Sequence, residues 1–316
     1  MNNQKLIMDI KQNFMLKRIK AQEECEEFIS VLRKEAEFNE IYSNYLRKQV
    51  EYLRSKLEEE NLTLKHDIED LKIKIDNYLK KNNIDRTKLT PKYDCTICND
   101  TGVAGGRMCV CLQKELNLKK SMLCSSQSQF KNFACAKPGI MNETDIKALD
   151  LLKKWCSRYP NITKTNINIL GGSGTGKTFM LECVANELIN KSAVVCFKTA
   201  FELNELARLY HIGKSYEFSD CMQAEVLIID DLGTEPMLKN VTKEYLYNLI
   251  NVRQINNKPT LISSNLSLDN ILDRYDERIF SRGSNKNLAI NIMLNSTDKR
   301  LKNHDDFVVF LLFNTN

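Results

Sequence analysis

A glycine-rich stretch, Gly171-Gly-Ser-Gly-Thr-Gly-Lys-Thr178, constrains the fold of this chain more than any other segment. It follows a short apolar run that ends at Leu170 and precedes a helical pattern, which is typical of a loop between a strand and a helix. Glycines let successive N–H groups point at phosphate oxygens, and the helix adds the positive end of its dipole. The spacing G-x-x-x-x-G-K-[ST] therefore predicts a phosphate-binding loop in an α/β fold.

This loop supplies the candidate nucleotide contacts. Lys177 is expected to reach the β- and γ-phosphates of ATP, and the Thr178 hydroxyl is expected to ligate Mg²⁺. A glycine-rich turn without this chemistry is the simpler alternative, and the strand–loop–helix context argues against it. The predicted nucleotide-binding residues of this segment are Gly171, Gly172, Ser173, Gly174, Thr175, Gly176, Lys177, Thr178 and Phe179.

A continuous apolar run, Val226-Leu-Ile-Ile229, ends in two carboxylates, Asp230 and Asp231. Such a run is typical of a buried parallel strand, and acids at its carboxyl end lie beside the phosphate loop in an open α/β sheet. We expect Asp230 to hold Mg²⁺, directly or through water, and Asp231 to orient or deprotonate the attacking water. An ordinary strand-to-turn Asp-Asp pair is the alternative, weakened by its position 53 residues after Lys177.

The next predicted strand, residues 260–265, ends at Asn265, whose amide can hydrogen-bond the attacking water or the γ-phosphate. An Asx turn that opens the following helix is compatible with this role. That helix carries Arg274, Arg278 and Arg282 at i, i+4 and i+8. The stripe is typical of a solvated face, but in an oligomeric ATPase such an arginine can reach a neighbouring subunit's γ-phosphate, and spacing alone leaves both interpretations open.

Four of the eleven cysteines are clustered, in a C-x₂-C pair, a ten-residue loop with three glycines and a C-x-C pair: Cys95, Cys98, Cys109 and Cys111. Four thiolates at this spacing predict a structural, tetrahedral Zn²⁺ site whose metal supplies the folding energy of a short segment. The alternatives are coincidence and a redox C-x-x-C pair, which needs a thioredoxin-like βαβ setting. A catalytic metal is disfavoured because four protein ligands leave no open position.

Residues 5–85 contain neither Gly nor Pro, and their apolar residues follow a heptad pattern with a stutter. Lys and Arg number 18 over residues 1–90, against 17 Asp and Glu, which suits contact with protein better than with nucleic acid. The pattern fits equally a helical hairpin that folds on itself and a coiled-coil-like arm that docks on a partner. Further along, residues 114–120 predict a basic helix that leads into a Ser/Gln-rich link.

Composition adds few constraints. The net charge of +5 is mild, so a DNA-binding surface has to be a local patch or depend on oligomerisation. No segment reaches the roughly 18 apolar residues of a membrane span, and the N-terminus lacks the apolar core of a signal peptide. We therefore expect a cytoplasmic protein without membrane partners, in a compartment where cysteines stay reduced.

Together these features resemble the bacterial replicative helicase loaders of the DnaC/DnaI type, which are AAA+ ATPases. The likeness rests on the following motifs: the charged helical N-terminus, Tyr-x-Cys-x-x-Cys-x-Asp-Thr-Gly with the later Cys-x-Cys, Phe-x-Asn-Phe, Gly-Thr-Gly-Lys-Thr, Ile-Ile-Asp-Asp-Leu-Gly, Ser-Asn-Leu-Ser and Glu-Arg-Ile-Phe-Ser-Arg. Because many ATPases share the phosphate loop and the Asp-Asp pair, the cysteine segment joined to this ATPase is the specific part.

The resemblance implies a fold class and a domain organisation. The expected fold is an α/β P-loop AAA+ core, a parallel sheet flanked by helices, preceded by a small four-cysteine zinc-binding segment and a helical, coiled-coil-like N-terminal region. The expected domains are a helicase-docking region at 1–90, the zinc segment at 91–116 and the AAA+ domain at 130–316. The resemblance further implies that Asn265 is a sensor 1 residue, Arg282 a finger acting in trans and Arg300 a sensor 2 arginine.

The implied function is ATP-dependent loading of the replicative hexameric DNA helicase onto single-stranded DNA, with ATP, Mg²⁺ and Zn²⁺ as cofactors. Slow ATP hydrolysis, regulated by DNA and by self-association through the AAA+ domain, is expected. The alternative is a transposition-helper ATPase of the IstB type, which shares nearly every core motif; the cysteine cluster and the helical arm favour the loader. An ATP-binding adaptor without turnover is disfavoured by Asp230, Asp231 and Asn265.

Overall fold

The computed structural model describes residues 3–55, 62–125, 129–137, 139, 141–276, 279 and 289–295. The chain divides into two compact units, residues 1–113 and residues 114–316, which we call the N-terminal and C-terminal units. The predicted helical region and cysteine segment both begin in the N-terminal unit, and the boundary at 113/114 falls inside a helix. No described helix has both the length and the apolar character that a bilayer span requires.

The N-terminal unit begins with three long helices, α1 (Asn3–Leu32), α2 (Ala36–Ser55) and α3 (Leu62–Lys81). Their sequences lack Gly and Pro, the two residues that most disfavour helix interiors. Phe38 of α2 is fully buried and its ring lies 5.3 Å from that of Tyr78 of α3, next to buried Ile75 and Leu79. Part of the heptad pattern is therefore buried between α2 and α3, as in a helical hairpin.

The cysteine segment follows a 3₁₀ turn at Arg86–Leu89 and contains the antiparallel pair β1 (Val103–Ala104) and β2 (Arg107–Met108). Gly105 and Gly106 join these strands with φ of 56° and 75°. A two-residue type I′ hairpin turn requires positive φ at both positions, which explains the glycine pair. Helix α4 (Val110–Cys124) starts directly after the hairpin.

The C-terminal unit contains a five-stranded parallel sheet in the order β4-β5-β6-β3-β7. The strands are β3 (Asn166–Gly171), β4 (Val195–Thr199), β5 (Val226–Leu232), β6 (Thr260–Ser264) and β7 (Ala289–Leu294). The helices are α5 (Glu143–Arg158), α6 (Lys177–Asn190), α7 (Ala200–His211), α8 (Glu217–Gln223), α9 (Thr242–Ile255) and α10 (Leu268–Tyr275).

Helices cover both faces of this sheet, which is why β5 begins with a continuous apolar run. Along β5, Val226 and Ile228 pack in the core formed with α5 and α6, whereas Leu227 and Ile229 pack in the core formed with α7 to α10. The predicted fold class, a parallel sheet flanked by helices, is confirmed.

Strand β4 lies at one edge of the sheet, and hydroxyl groups of the segment at α4 satisfy its outward backbone groups. Ser121 Oγ accepts from Val195 N (2.9 Å), and its single proton lies between two acceptors, Asn117 O (2.9 Å) and Ala193 O (3.3 Å). Ser125 Oγ accepts from Phe197 N (3.0 Å) and donates to Val195 O (3.2 Å). Two serine hydroxyl groups thus bond to backbone groups that a neighbouring strand would otherwise pair with. An unpaired strand edge can hydrogen-bond to a strand of another molecule, and these contacts oppose that.

Arg253 of α9 is a fully buried cation in the C-terminal unit. Its guanidinium donates to the carbonyl oxygens of Cys221 (3.0 Å), Ala224 (2.8 Å) and Pro259 (2.6 Å), and its Nε donates to Thr260 Oγ1 (3.0 Å). Burial lowers the pKa of Arg253 to about 10, so the side chain remains charged at neutral pH. One side chain therefore joins the end of α8 to α9 and the start of β6.

Candidate functional site

The glycine-rich loop lies where sequence analysis placed it, between the end of β3 at Gly171 and the start of α6 at Lys177. Gly176 is the N-cap of α6 with φ 99°, a left-handed conformation that favours glycine. A Cβ at Gly171 would lie 2.6 Å from Leu294 O of β7, so the close approach of β7 excludes larger residues. Backbone packing, as well as phosphate chemistry, accounts for glycine at these positions.

Lys177 is only 5% exposed, and oxygen acceptors surround its ammonium group. Lys177 Nζ donates to Gly171 O (3.0 Å), Gly172 O (2.8 Å) and Asn265 Oδ1 (2.6 Å). The structure therefore joins two predicted site residues, Lys177 and Asn265, that are 88 positions apart in the chain. In this arrangement a flexible cation is held at the centre of the loop, where a phosphate oxygen would compete for it.

Asp230 and Asp231 lie at the carboxyl end of β5, on the side of the sheet predicted from the sequence. The register of β5 on β6 shifts between Ile229 and Leu232, and Asp231 has φ 55°. Bulges next to active sites commonly re-aim a side chain, and a non-glycine residue at positive φ is strained. The irregularity gives the two adjacent carboxylates different backbone geometry.

Burial raises the pKa of Asp230, and hydrogen bonds from the hydroxyl groups of Ser263 and Thr178 act against that shift. Asp230 is 4% exposed, so its charge is poorly solvated without a nearby cation. The structure thus places the Thr178 hydroxyl against the Asp230 carboxylate, as expected for two ligands of one ion. This all-oxygen donor set, with a buried negative charge, fits Mg²⁺.

A cavity of about 780 Å³ opens over the loop, a size typical of small-molecule sites. Nine of the predicted site residues line this cavity: Ser173, Gly174, Gly176, Lys177, Thr178, Phe179, Asp230, Asp231 and Asn265. Sequence reasoning missed five further residues that line it: Lys131, Cys135, Lys137, Met141 and Met180. Met180 belongs to α6, and the other four lie in or near a 3₁₀ turn, Phe133–Cys135, that is capped by Asn132. The Phe-x-Asn-Phe motif was the only sequence signal for these four.

The four clustered cysteines converge in the N-terminal unit, and all their Sγ atoms lie within 4.8 Å of one another. Cys95 Sγ lies 3.8 Å from Cys109 Sγ, and Cys98 Sγ lies 3.4 Å from Cys111 Sγ. Tetrahedral Zn²⁺ with Zn–S bonds of about 2.3 Å requires S···S distances of about 3.8 Å. The S···S distances of the cluster, from 3.4 Å to at most 4.8 Å, bracket this value, so the four thiols fit a tetrahedral metal ion such as zinc.

Surrounding groups support the cysteine cluster. The buried Asp100 carboxylate accepts from Asp94 N (2.9 Å) and Cys95 N (2.8 Å), and Gly102 N donates to Cys98 Sγ (3.3 Å). Burial opposes ionisation of Cys98, but hydrogen bonds from the Cys111 thiol and the Gly102 amide lower its pKa to about 7. An easily formed thiolate is what metal binding requires.

The arginine predictions fall mostly outside the described residues. Arg278, Arg282 and Arg300 lie there, so the finger and sensor 2 roles stay predictions. Arg274 is described: its guanidinium donates to Glu235 O and lies 5.6 Å from the ring centre of Tyr275. That contact ties α10 to the segment after β5, so Arg274 is not part of a purely solvated stripe.

The fold and the converging loop, Asn265 and Asp-Asp pair define a P-loop ATPase domain of the AAA+ class. A family model described as IstB-like ATP binding protein matches residues 142–281. This part of the chain is therefore similar to the IstB-like ATP binding proteins, which agrees with the resemblance inferred from the sequence.

Individual relatives come from several contexts. The phage-like element PBSX protein XkdC of Bacillus subtilis (strain 168) is 29% identical over 215 residues, 60% of this chain and 78% of that protein. The replicative helicase loader DnaI of the same organism is 31% identical over 105 residues, only 34% of its length and 33% of this chain. A crystal structure of the DnaC helicase loader superposes with a TM-score of 0.46 at 22% identity, covering 52% of this chain and 96% of that one.

Proposed function

We propose that this protein hydrolyses ATP to control the loading of a replicative hexameric DNA helicase onto single-stranded DNA. The observation that carries the proposal is the convergence of Lys177, Asn265 and the Asp230-Asp231 pair around one cavity. The similarity to a protein named as a replicative helicase loader supports the choice of partner.

In the proposed reaction, Lys177 exchanges its contacts with Gly171 O, Gly172 O and Asn265 for phosphate oxygens of ATP. Its departure frees the Asn265 amide to hydrogen-bond the attacking water or the γ-phosphate. Asp231 orients that water and accepts its proton while the water oxygen bonds to the γ-phosphorus and ADP leaves. Thr178 and Asp230 would hold Mg²⁺, which supplies positive charge beside the phosphates.

We further propose that Cys95, Cys98, Cys109 and Cys111 hold a structural Zn²⁺. With four protein ligands there is no open position for substrate, so its role is to order the cysteine segment. The hairpin β1–β2 and the Asp100 hydrogen bonds position these ligands from both sides.

The N-terminal helices are the proposed docking region for the helicase. Leu46, Val50 and Leu53 continue the heptad pattern along α2, yet they are 38%, 48% and 65% exposed in the described residues. An apolar stripe at this spacing is the arrangement by which amphipathic helices dock on partners. Single-stranded DNA and further copies of this chain are proposed as partners of the AAA+ domain.

The alternative is a transposition helper of the IstB type. The match of residues 142–281 to the IstB-like family model supports it, but that match lies within the core that both candidates share and does not extend to the cysteine cluster or the helical region. A transposase would then replace the helicase as partner.

Mass photometry of the full chain mixed with the replicative helicase of its own host tests the proposal, with ATP, with ADP and without nucleotide. We expect a discrete complex that Val50→Glu/Leu53→Glu weakens. Ile146→Glu/Leu151→Glu is the matched control, since both residues are exposed on α5 (43% and 38%), outside the proposed docking region, and the variant gains the same two charges. No complex under any nucleotide condition would contradict the loader function and make a transposase the next partner to test.

A further inference from the structure

The irregularity at the end of β5 has a defined pairing. Ile229 pairs with Ile262 and Leu232 pairs with Ser264, so Asp230 and Asp231 together oppose the single residue Ser263 of β6. Two residues opposite one constitute a β-bulge, which leaves the extra residue without its ladder partner. The partner strand or a side chain then has to satisfy the extra residue's backbone groups.

Ser263 meets this requirement with its side chain. It is fully buried, and its Oγ accepts a hydrogen bond from Asp231 N at 2.8 Å. The same hydroxyl donates its proton to Asp230 Oδ1. One oxygen atom therefore bridges the amide of one acid to the carboxylate of the other.

We propose that Ser263 is a positioning residue of the hydrolytic site, whose hydroxyl holds Asp231 in its left-handed conformation and fixes the orientation of the Asp230 carboxylate. The inference rests on the proposed ATP hydrolysis, and it adds a residue outside the loop, the Asp-Asp pair and Asn265. Without the hydroxyl, the Asp231 amide lacks this acceptor, and the contacts of Thr234 with Asp231 O remain among the described hydrogen bonds of the Asp231 backbone outside the sheet ladder.

Ser264 provides a matched control on the next position of the same strand. It is equally buried, and its Oγ donates to Leu232 O (2.5 Å) and accepts from Leu266 N (3.0 Å). Removal of this hydroxyl deletes the same atom from the same strand, but both of its described hydrogen bonds are to residues other than the two acids. A comparison of the two serine variants therefore separates the positioning of Asp230 and Asp231 from the general effect of losing a buried hydroxyl group.

The test compares ATP hydrolysis by the full-length wild type, Ser263→Ala and Ser264→Ala proteins, after circular dichroism has shown that all three are folded. We expect Ser263→Ala to lower kcat by about 10- to 100-fold, the usual effect of losing a group that orients a ligand. KM for ATP should change little, because the phosphate loop is untouched. Ser264→Ala should keep most of the wild-type kcat.

Hydrogen exchange of the peptide covering residues 226–232 gives a second measurement that does not depend on hydrolysis. We expect faster exchange at the Asp231 amide in Ser263→Ala, because its acceptor is gone. A wild-type kcat in Ser263→Ala, an equal loss in Ser264→Ala, or unchanged exchange would each overturn the positioning role. A folded wild-type protein that does not hydrolyse ATP would instead contradict the proposed function, and the exchange comparison would still decide the role of Ser263.

Discussion

Replacement of Arg253 by methionine tests whether the buried guanidinium stabilises the C-terminal unit. Pro259 O also accepts from Leu227 N (3.1 Å), so it keeps a partner in the variant. The carbonyl oxygens of Cys221 and Ala224 lose a donor at 3.0 and 2.8 Å. An unsatisfied buried acceptor costs roughly 1–3 kcal/mol, which gives about 2–6 kcal/mol for the two. Release of the guanidinium from a buried site offsets part of this, so we expect a loss of about 2–4 kcal/mol.

Equilibrium unfolding in urea, followed by tryptophan fluorescence, measures this loss. Trp155 is the single tryptophan of the sequence and is 5% exposed in the C-terminal unit, so its signal reports on that unit. With a urea m-value of about 2 kcal/mol/M, the expected loss lowers the midpoint by about 1–2 M.

Lys258→Met is the control, because Lys258 Nζ donates to Gln223 O (2.6 Å) at the same end of α8 but near the surface. Water can replace that donor, so a loss of less than about 1 kcal/mol is expected. Equal midpoints for Arg253→Met and Lys258→Met would refute the claim that burial makes the Arg253 contacts important.

The remaining predictions concern the two candidate sites. Lys177→Ala should abolish binding of a fluorescent ATP analogue, since no other described side chain in the loop is a cation; an unchanged affinity would refute the phosphate-loop assignment. Metal analysis of the purified protein should find one zinc per chain, and Cys95→Ser/Cys98→Ser should lose it. A folded wild-type protein without zinc would show that the thiol cluster serves another purpose.

The features predicted best from the sequence are those whose structure and chemistry depend on residues that are close together in the chain. Gly171 to Thr178 have the spacing of a phosphate-binding loop and connect β3 to α6 as that motif requires. The apolar run Val226–Ile229 lies in a strand of the parallel sheet, with Asp230 and Asp231 near its carboxyl end. Residues Glu143–Arg158 form a helix, in agreement with the regular helical period of their apolar residues.

The features that sequence analysis missed depend on contacts between distant segments. Arg253 can be buried because carbonyl oxygens at the end of α8 and just before β6 accept hydrogen bonds from it. These acceptors come from separate segments, so the local sequence around Arg253 does not predict them. Ser263 has its role only because β5 bulges opposite it. The helix predicted over residues 114–120 is part of α4, which continues through Ser121 to Cys124. The contact of Ser121 with β4 was not predictable, because a serine on a helix has the same local signature whether or not a strand edge lies beside it.

The serine contacts along β4 also bear on how this domain should be isolated. A fragment that starts at the predicted domain boundary, residue 130, lacks Ser121 and Ser125. The backbone N–H and C=O groups at the edge of β4 then lose these hydrogen-bond partners. Unpaired strand edges of different molecules can hydrogen-bond to each other, so such a fragment is prone to aggregate through the edge of β4 although it retains the residues of the candidate ATP site. A fragment that begins at residue 114 keeps both serines on the edge of β4. The difference in solubility between the two fragments measures how far the segment that carries these serines prevents aggregation.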